Sequence, residues 1–127
     1  MAEFMKPYSS QTYALMRITV GLLFFCHGMS KLFHFPVGPP PGAPLFVVYG
    51  AGGIELVCGA LVAVGLLTRW AAFIASGQMA VAYWMAHSTK ALLPIANQGE
   101  LAVLYCFVFL FVSSHGAGMW SVDAARR

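Results

Sequence analysis

Four long apolar runs, at approximately residues 12–33, 45–67, 70–87 and 97–115, constrain this chain more than any other feature. Each approaches the ~20 residues that carry a helix across ~30 Å of hydrocarbon. Hydrocarbon offers the backbone no water to bond, so each run must satisfy its own N–H and C=O groups, which a helix does locally. Charged residues make up only 9% of the chain and hydrophobic ones 60%. Soluble domains average about 25% charged, so these charges cannot cover a water-facing surface. The expected fold is therefore an all-α membrane protein, with four transmembrane helices in a bundle and residues 1–127 as one integral membrane domain. The first run is Phe-rich and has no small-x-small cleavage site, so it reads as a retained anchor rather than a signal peptide.

The connections set the topology. "HFPVGPPPGAP" (34–44) holds five of the seven prolines and reads as an extended outer loop. "LTRW" (67–70) reads as a tight turn, and "STKALLPIANQ" (88–98) as a short connection where Pro94 stops any helix. Lys6, Arg69, Arg126 and Arg127 fall on the side of the termini, with Arg17 slightly inside the first span. The other side has only Lys31 and Lys90. The positive-inside rule then makes both termini cytoplasmic, with Trp70 and Trp120 at that interface. "LMRI" (15–18) resembles "LTRW" (67–70), and "GIEL" (53–56) resembles "GEL" (99–101). Either these mark two parallel hairpin repeats, with Glu55 and Glu100 equivalent, or they are chance similarity in a biased composition.

The chemistry lies in the few polar residues within the runs. A carboxylate at a helix centre costs about 2.5–3.5 kcal/mol on insertion scales, so Glu55 needs a partner. At helical periodicity Arg17, Gly21, Phe24, Gly28 and Lys31 share one face, with His27 at its edge. Arg69, Ser76, Ala80, Tyr83 and His87 form a matching stripe on the third span. On the second, Ala51, Glu55, Gly59 and Ala63 recur every four residues, and such small residues let helices approach closely. Helical rise puts Glu55 near mid-membrane, about 6 Å below His27, with Lys31, His87 and Glu100 in the outer half. The expected pairs are Glu100 with Lys31 or His87, and Glu55 with His27 or Arg17. Such pairs can serve helix registry alone, but intramembrane ionisable groups are functional candidates by default.

Other classes find little support. Cys26, Cys58 and Cys106 stand singly in apolar runs and read as packing residues, with no C-x-x-C pair. His34 reads as solvated in the proline loop and His115 as a helix-end residue. Spacing of the E-x-x-H or H-x-x-x-H kind is absent from His27, Glu55, His87 and Glu100, so no metal is expected. No nucleotide-binding fingerprint appears. The basic residues are scattered, which gives nucleic-acid binding no footing.

"HGMSKL" (27–32), "GGIELVCGALVAVGLLTRWAA" (52–72), "GEL" (99–101) and "GAGMWSVD" (116–123) resemble, in that order, the DoxX family of small four-helix bacterial membrane proteins. The resemblance implies a multi-pass protein of the bacterial inner membrane, related to the membrane subunit of thiosulfate:quinone oxidoreductase. Lys31, Glu55, Arg69, Glu100 and Asp123 are the residues it carries over. Family members are functionally diverse, so the resemblance specifies fold and location better than activity.

Three functions follow as expectations. The first is a membrane subunit of a redox or quinone-linked system, acting with a soluble or membrane partner subunit. Its quinone pocket would come from His27, Lys31, Tyr83, Trp84 and His87, with Glu55 and Glu100 as proton relay and Arg17, Arg69 and Asp123 as a structural charge network. The second is a non-catalytic structural or assembly subunit that docks a partner enzyme. The third is small-solute or proton passage, which four spans would support best in a homo-oligomer built on Gly28, Gly59 and the alanine stripe.

Overall fold

The computed structural model describes residues 3–39 and 41–127, so Pro40 of the proline-rich loop lies outside the described residues. Among the described residues the secondary structure is helical, without strands. A short 3-10 turn (Lys6–Tyr8) leads into α1 (Ser9–Phe33), and a π turn (Val47–Ala51) leads into α2 (Gly52–Val64). α3 (Thr68–Ala82) runs on through a second π turn (Tyr83–His87). Then come α4 (Pro94–Asn97), α5 (Glu100–His115) and α6 (Val122–Ala125).

Local chemistry explains the boundaries. α2 stops at Gly65, which is left-handed (φ 74°), with the amides of Gly65 and Leu66 both returning to the Leu61 carbonyl. This is a glycine C-cap, and it places the tight turn at residues 65–67, slightly before the expected "LTRW", whose residues 68–70 instead open α3. Pro94 departs from expectation. It opens α4 instead of stopping a helix, because a first-turn proline forfeits only an amide that has no helical partner.

Helices α1 and α2 run antiparallel on a glycine seam. A Cβ on Gly21 would meet the Ala63 nitrogen at 2.5 Å, and one on Gly28 would lie 2.8 Å from the Gly52 carbonyl oxygen. Gly59 makes the reciprocal approach to the backbone of Phe25 and Gly21. α3 and α5 form a second antiparallel pair, in which Ser76 Oγ donates to the Cys106 carbonyl (2.7 Å). α2 packs against α3 and joins the two hairpins. The shared core is thin: Phe24, Cys58, Val62, Ala72, Ala75, Phe109 and Val112.

Large apolar side chains instead face outward along every long helix. Their exposure runs from 44% at Leu110 to 72% at Trp70 and includes Leu22, Val57, Phe73 and Val81. Lys6–Phe33 and Val47–Val64 are each long and apolar enough to cross a membrane, while Glu100–His115 is apolar but shorter. An apolar exterior of this extent requires an apolar solvent or partner.

The hairpin likeness holds for the arginines and fails for the acids. Arg17, near the start of α1, donates to the Val62 and Ala63 carbonyls at the end of its partner helix α2. Arg69, at the start of α3, does the same to Ser113, Ser114 and His115 at the end of α5. Glu55 is seven residues before Val62, whereas Glu100 is fourteen before Ser114, so the two acids are two helical turns out of register. Glu55 is 2% exposed, and Glu100 is exposed at the first turn of α5.

Candidate functional site

The glycine seam decides what Glu55 meets. Because α1 and α2 touch backbone to backbone at Gly28, Glu55 stands level with that residue instead of a turn below His27. Lys31, one turn further along α1, reaches back to it. Lys31 Nζ lies 2.8 Å and 2.7 Å from the two carboxylate oxygens. The side chains of this ion pair are 19% and 3% exposed. The sequence expectation paired Glu55 with His27 or Arg17, and the structure replaces both with Lys31. The helix approach allowed by small residues sets the register, and a flexible four-carbon stem covers the remaining distance.

A cavity of about 490 Å³ opens beside this pair. Its walls come from one end of the bundle: the end of α1, the start of α2, the end of α3 with its π turn, and the start of α5. Phe24, Met79, Ala102 and Tyr105 supply apolar surface. The His27 ring meets Tyr105 edge-on at 5.8 Å. His87 also lines the cavity, with Nδ1 3.1 Å from the Asn97 carbonyl oxygen. The two π turns each add a residue to a helix bordering this space (Val47–Ala51 and Tyr83–His87), and such bulges recur at functional sites.

Of the expected pocket residues His27, Lys31 and His87 are brought together, with Glu55 of the expected relay beside them. Tyr83 and Trp84 do not line the cavity. Tyr83 donates to the Leu92 carbonyl (3.0 Å) and accepts from Asn97 Nδ2 (3.1 Å), while Trp84 is 63% exposed. Glu100 also stays outside, at the α5 N-terminus, where a carboxylate complements the helix dipole. Neither Lys31 nor His87 binds it: Lys31 is taken by Glu55.

Several residues escaped the sequence reading. Gln78 lines the cavity, and its Oε1 is buried without a hydrogen-bond partner. Lys90 and Gln98 stand at the rim. Asn97 is buried and holds the short connection together through Tyr83, Ala91 and the Gly99 amide. The signal for Gln78 was present, as an amide inside an apolar run ("ASGQMA"). For Asn97 it was an Asx-turn residue just before a glycine.

At the other end the expected charge network exists in a different form. Arg17 is fully buried, and its guanidinium serves backbone carbonyls rather than acids. Besides Val62 and Ala63 it binds those of Ala117, Met119 (3.0 Å) and Trp120 (2.7 Å). Asp123 accepts from the Leu67 amide and from the Thr68 amide and hydroxyl (3.0, 3.0 and 2.8 Å). Burial pushes this carboxyl up, but the Thr68 and Leu67 donors and the Arg126 charge outweigh it and hold it below the usual carboxylate range. Among the described residues no group of three or more His, Cys, Asp or Glu is placed to hold a metal ion.

Comparison with known proteins gives a consistent picture. The DoxX family model matches residues 12–88. An uncharacterized protein of Haemophilus influenzae is 39% identical over 127 residues, covering 94% of this chain and 93% of its own. An uncharacterized membrane protein of Mycobacterium tuberculosis is 33% identical over 136 residues, covering 85% and 77%. No solved structure matches the chain.

Proposed function

The chain belongs to the DoxX family, and on that premise we propose that it is a four-span protein of the bacterial inner membrane. In this reading its cavity binds a quinone on behalf of a redox partner subunit. Two of the four helices meet span criteria on their own. The others support the reading by packing: α3 with its π turn runs 20 residues from Thr68 to His87, and α5 lies antiparallel to it with outward Leu104, Phe107 and Phe111. Arg17, Arg69, Arg126 and Arg127 gather at the end carrying the termini, which favours a cytoplasmic assignment for that end.

The observation that carries the function is the cavity itself, where the Lys31–Glu55 pair, two histidines and an unpartnered Gln78 share one apolar chamber. Its volume falls within the roughly 300–1,000 Å³ of small-molecule sites, and a few convergent polar groups on apolar walls are their usual pattern. A quinone head group fits this set. Lys31 and His27 offer donors to a carbonyl oxygen, and the Gln78 amide offers a donor or an acceptor according to which way it turns. Phe24 and Tyr105 supply ring surface. A bound quinone supplies reversible two-electron, two-proton chemistry. The chain's own part is to hold the head group, keep acyl chains from the ion pair, and hold a proton at Glu55 or His27. In this reading the electrons come from the partner subunit.

The test is an organic extract of protein purified from a quinone-producing host. Quinone in stoichiometric amount is expected, falling sharply in Lys31→Met and Gln78→Leu variants that still elute as single species. Extracts without quinone, or with equal amounts from all three proteins, overturn the reading. A second reading, a purely architectural subunit, is favoured by one observation: both Glu55 oxygens are already satisfied by Lys31.

A further inference from the structure

A closely packed layer separates the cavity from the Arg17 clamp. Going from the ion pair toward the termini, the floor is Phe24, whose ring packs tilted against Phe109 at 4.7 Å and against Tyr105 at 5.4 Å. Below it Cys58, Val62, Ala72, Ala75 and Val112 close the bundle, none more than 6% exposed. Ser76, a buried hydroxyl at this level, has its proton committed to the Cys106 carbonyl. Beyond the layer, the Arg17 donors are used on carbonyls of α2 and of the segment 117–120. Tyr13 likewise donates to the Gly116 carbonyl at 2.6 Å. The end bearing the termini is thus stopped twice, once by apolar packing and once by a saturated polar clamp. At the opposite end the chamber borders Lys90 and Gln98, both exposed and with no ion pair to Lys90 among the described residues.

A proton or a water molecule needs polar partners along its path, and a tightly packed apolar layer offers none. We infer that the cavity is a one-sided vestibule: water and protons reach the Lys31–Glu55 pair only from the membrane face opposite the chain ends. Any proton that the pair gains or loses during ligand turnover is exchanged with that face. The inference rests on the four-span reading but not on the ligand being a quinone.

Thiol labelling in oriented membranes tests it. A membrane-impermeant thiosulfonate is applied to right-side-out and to inverted vesicles holding the full chain, with adducts assigned by peptide mass spectrometry. Ala51→Cys and Ala86→Cys report on the chamber, Ala125→Cys reports on the end bearing the termini, and native Cys58 reports on the closing layer. The expected result is labelling of positions 51 and 86 from the face opposite to position 125, with Cys58 labelled from neither until the protein is unfolded in detergent. Position 125 reacting from both faces, or from the same face as 51 and 86, removes the four-span reading and the inference with it. If position 125 reacts from one face only, the inference alone fails on any of three results: positions 51 and 86 reacting from both faces, neither reacting before unfolding, or Cys58 reacting in the folded protein. Single-species elution of each variant separates these outcomes from misfolding.

Discussion

The two ends of the bundle treat buried charge in opposite ways. At one end Arg17 is fully buried, with a fork of donors distributed over the carbonyls of two chain segments, a constellation that closes space. At the other, Lys31 and Glu55 neutralise each other along one wall of a 490 Å³ chamber, and Gln78 is left with an unpartnered oxygen. A guanidinium is a rigid planar fork suited to several fixed acceptors, whereas an ammonium on a flexible stem can be redirected. The Arg17 clamp reads as architecture, and the chamber reads as a place where something binds, although Gln11 Oε1 near the start of α1 is also buried without a partner.

Removing the clamp should have the largest effect. Arg17→Met leaves buried carbonyls without donors and should cost about 3–5 kcal/mol, with Arg17→Lys restoring little because it lacks the fork. Unfolding in detergent reads this out. A loss below about 1 kcal/mol would erase the contrast between the ends. Next comes the seam that sets the register. Gly28→Val drives a side chain into the backbone at Gly52 and Leu56 and should cost about 1–3 kcal/mol. It should also pull Lys31 away from Glu55, detectable as a lost Cys–Cys crosslink between positions 31 and 55 in a Lys31→Cys/Glu55→Cys background.

The chamber end should tolerate apolar replacement of the whole ion pair in stability while remaining sensitive in binding. Glu55→Gln strands the partly buried Lys31, whereas Lys31→Met/Glu55→Leu replaces the pair with apolar bulk and should recover stability to within about 1 kcal/mol of the native chain. Neither variant should retain bound quinone. Full retention in the double variant would sharpen the architectural alternative at the expense of the binding one.

The smallest effect is acid sensitivity at α6. Because the folded Asp123 carboxyl lies below its ordinary value of 3.8, its stabilisation is present above that value and is lost as pH falls through the lower, folded one. Protection of the Leu67 and Thr68 amides, measured against their intrinsic exchange rates, should therefore fall only in strong acid, and be reduced at all pH values in Asp123→Asn. Unchanged exchange would mean that Asp123 is not what holds α6 to the turn.

Much of the fold was readable because lipid-scale helices are written as apolar runs. The predicted 12–33 and 45–67 stretches contain or closely overlap α1 and α2, and Gly65 marks its own turn by the conformation it alone adopts easily. His27, Lys31, Glu55 and His87 were readable as a set, since ionisable groups in apolar runs must turn inward. Their pairing was not readable. Helical rise gave Glu55 a depth within its own span, but which α1 residue lies opposite depends on where two backbones make contact, which is a property of the pair. Tyr83, Trp84 and Glu100 share the stripe periodicity and lie near the chamber in sequence. The π turn and the Asn97-centred connection nevertheless direct them elsewhere.

By itself, the amino-acid sequence determined that this chain is helical and apolar and which of its residues cannot face acyl chains, because these are one-dimensional consequences of transfer energy and periodicity; its family came from similarity to related sequences. Only the tertiary structure decided that Lys31 takes Glu55, that Arg17 binds carbonyls rather than an acid, and that a chamber opens beside the Lys31–Glu55 pair. Those outcomes depend on the backbone approach that three glycines allow, and a distance between helices has no counterpart in the sequence of either one.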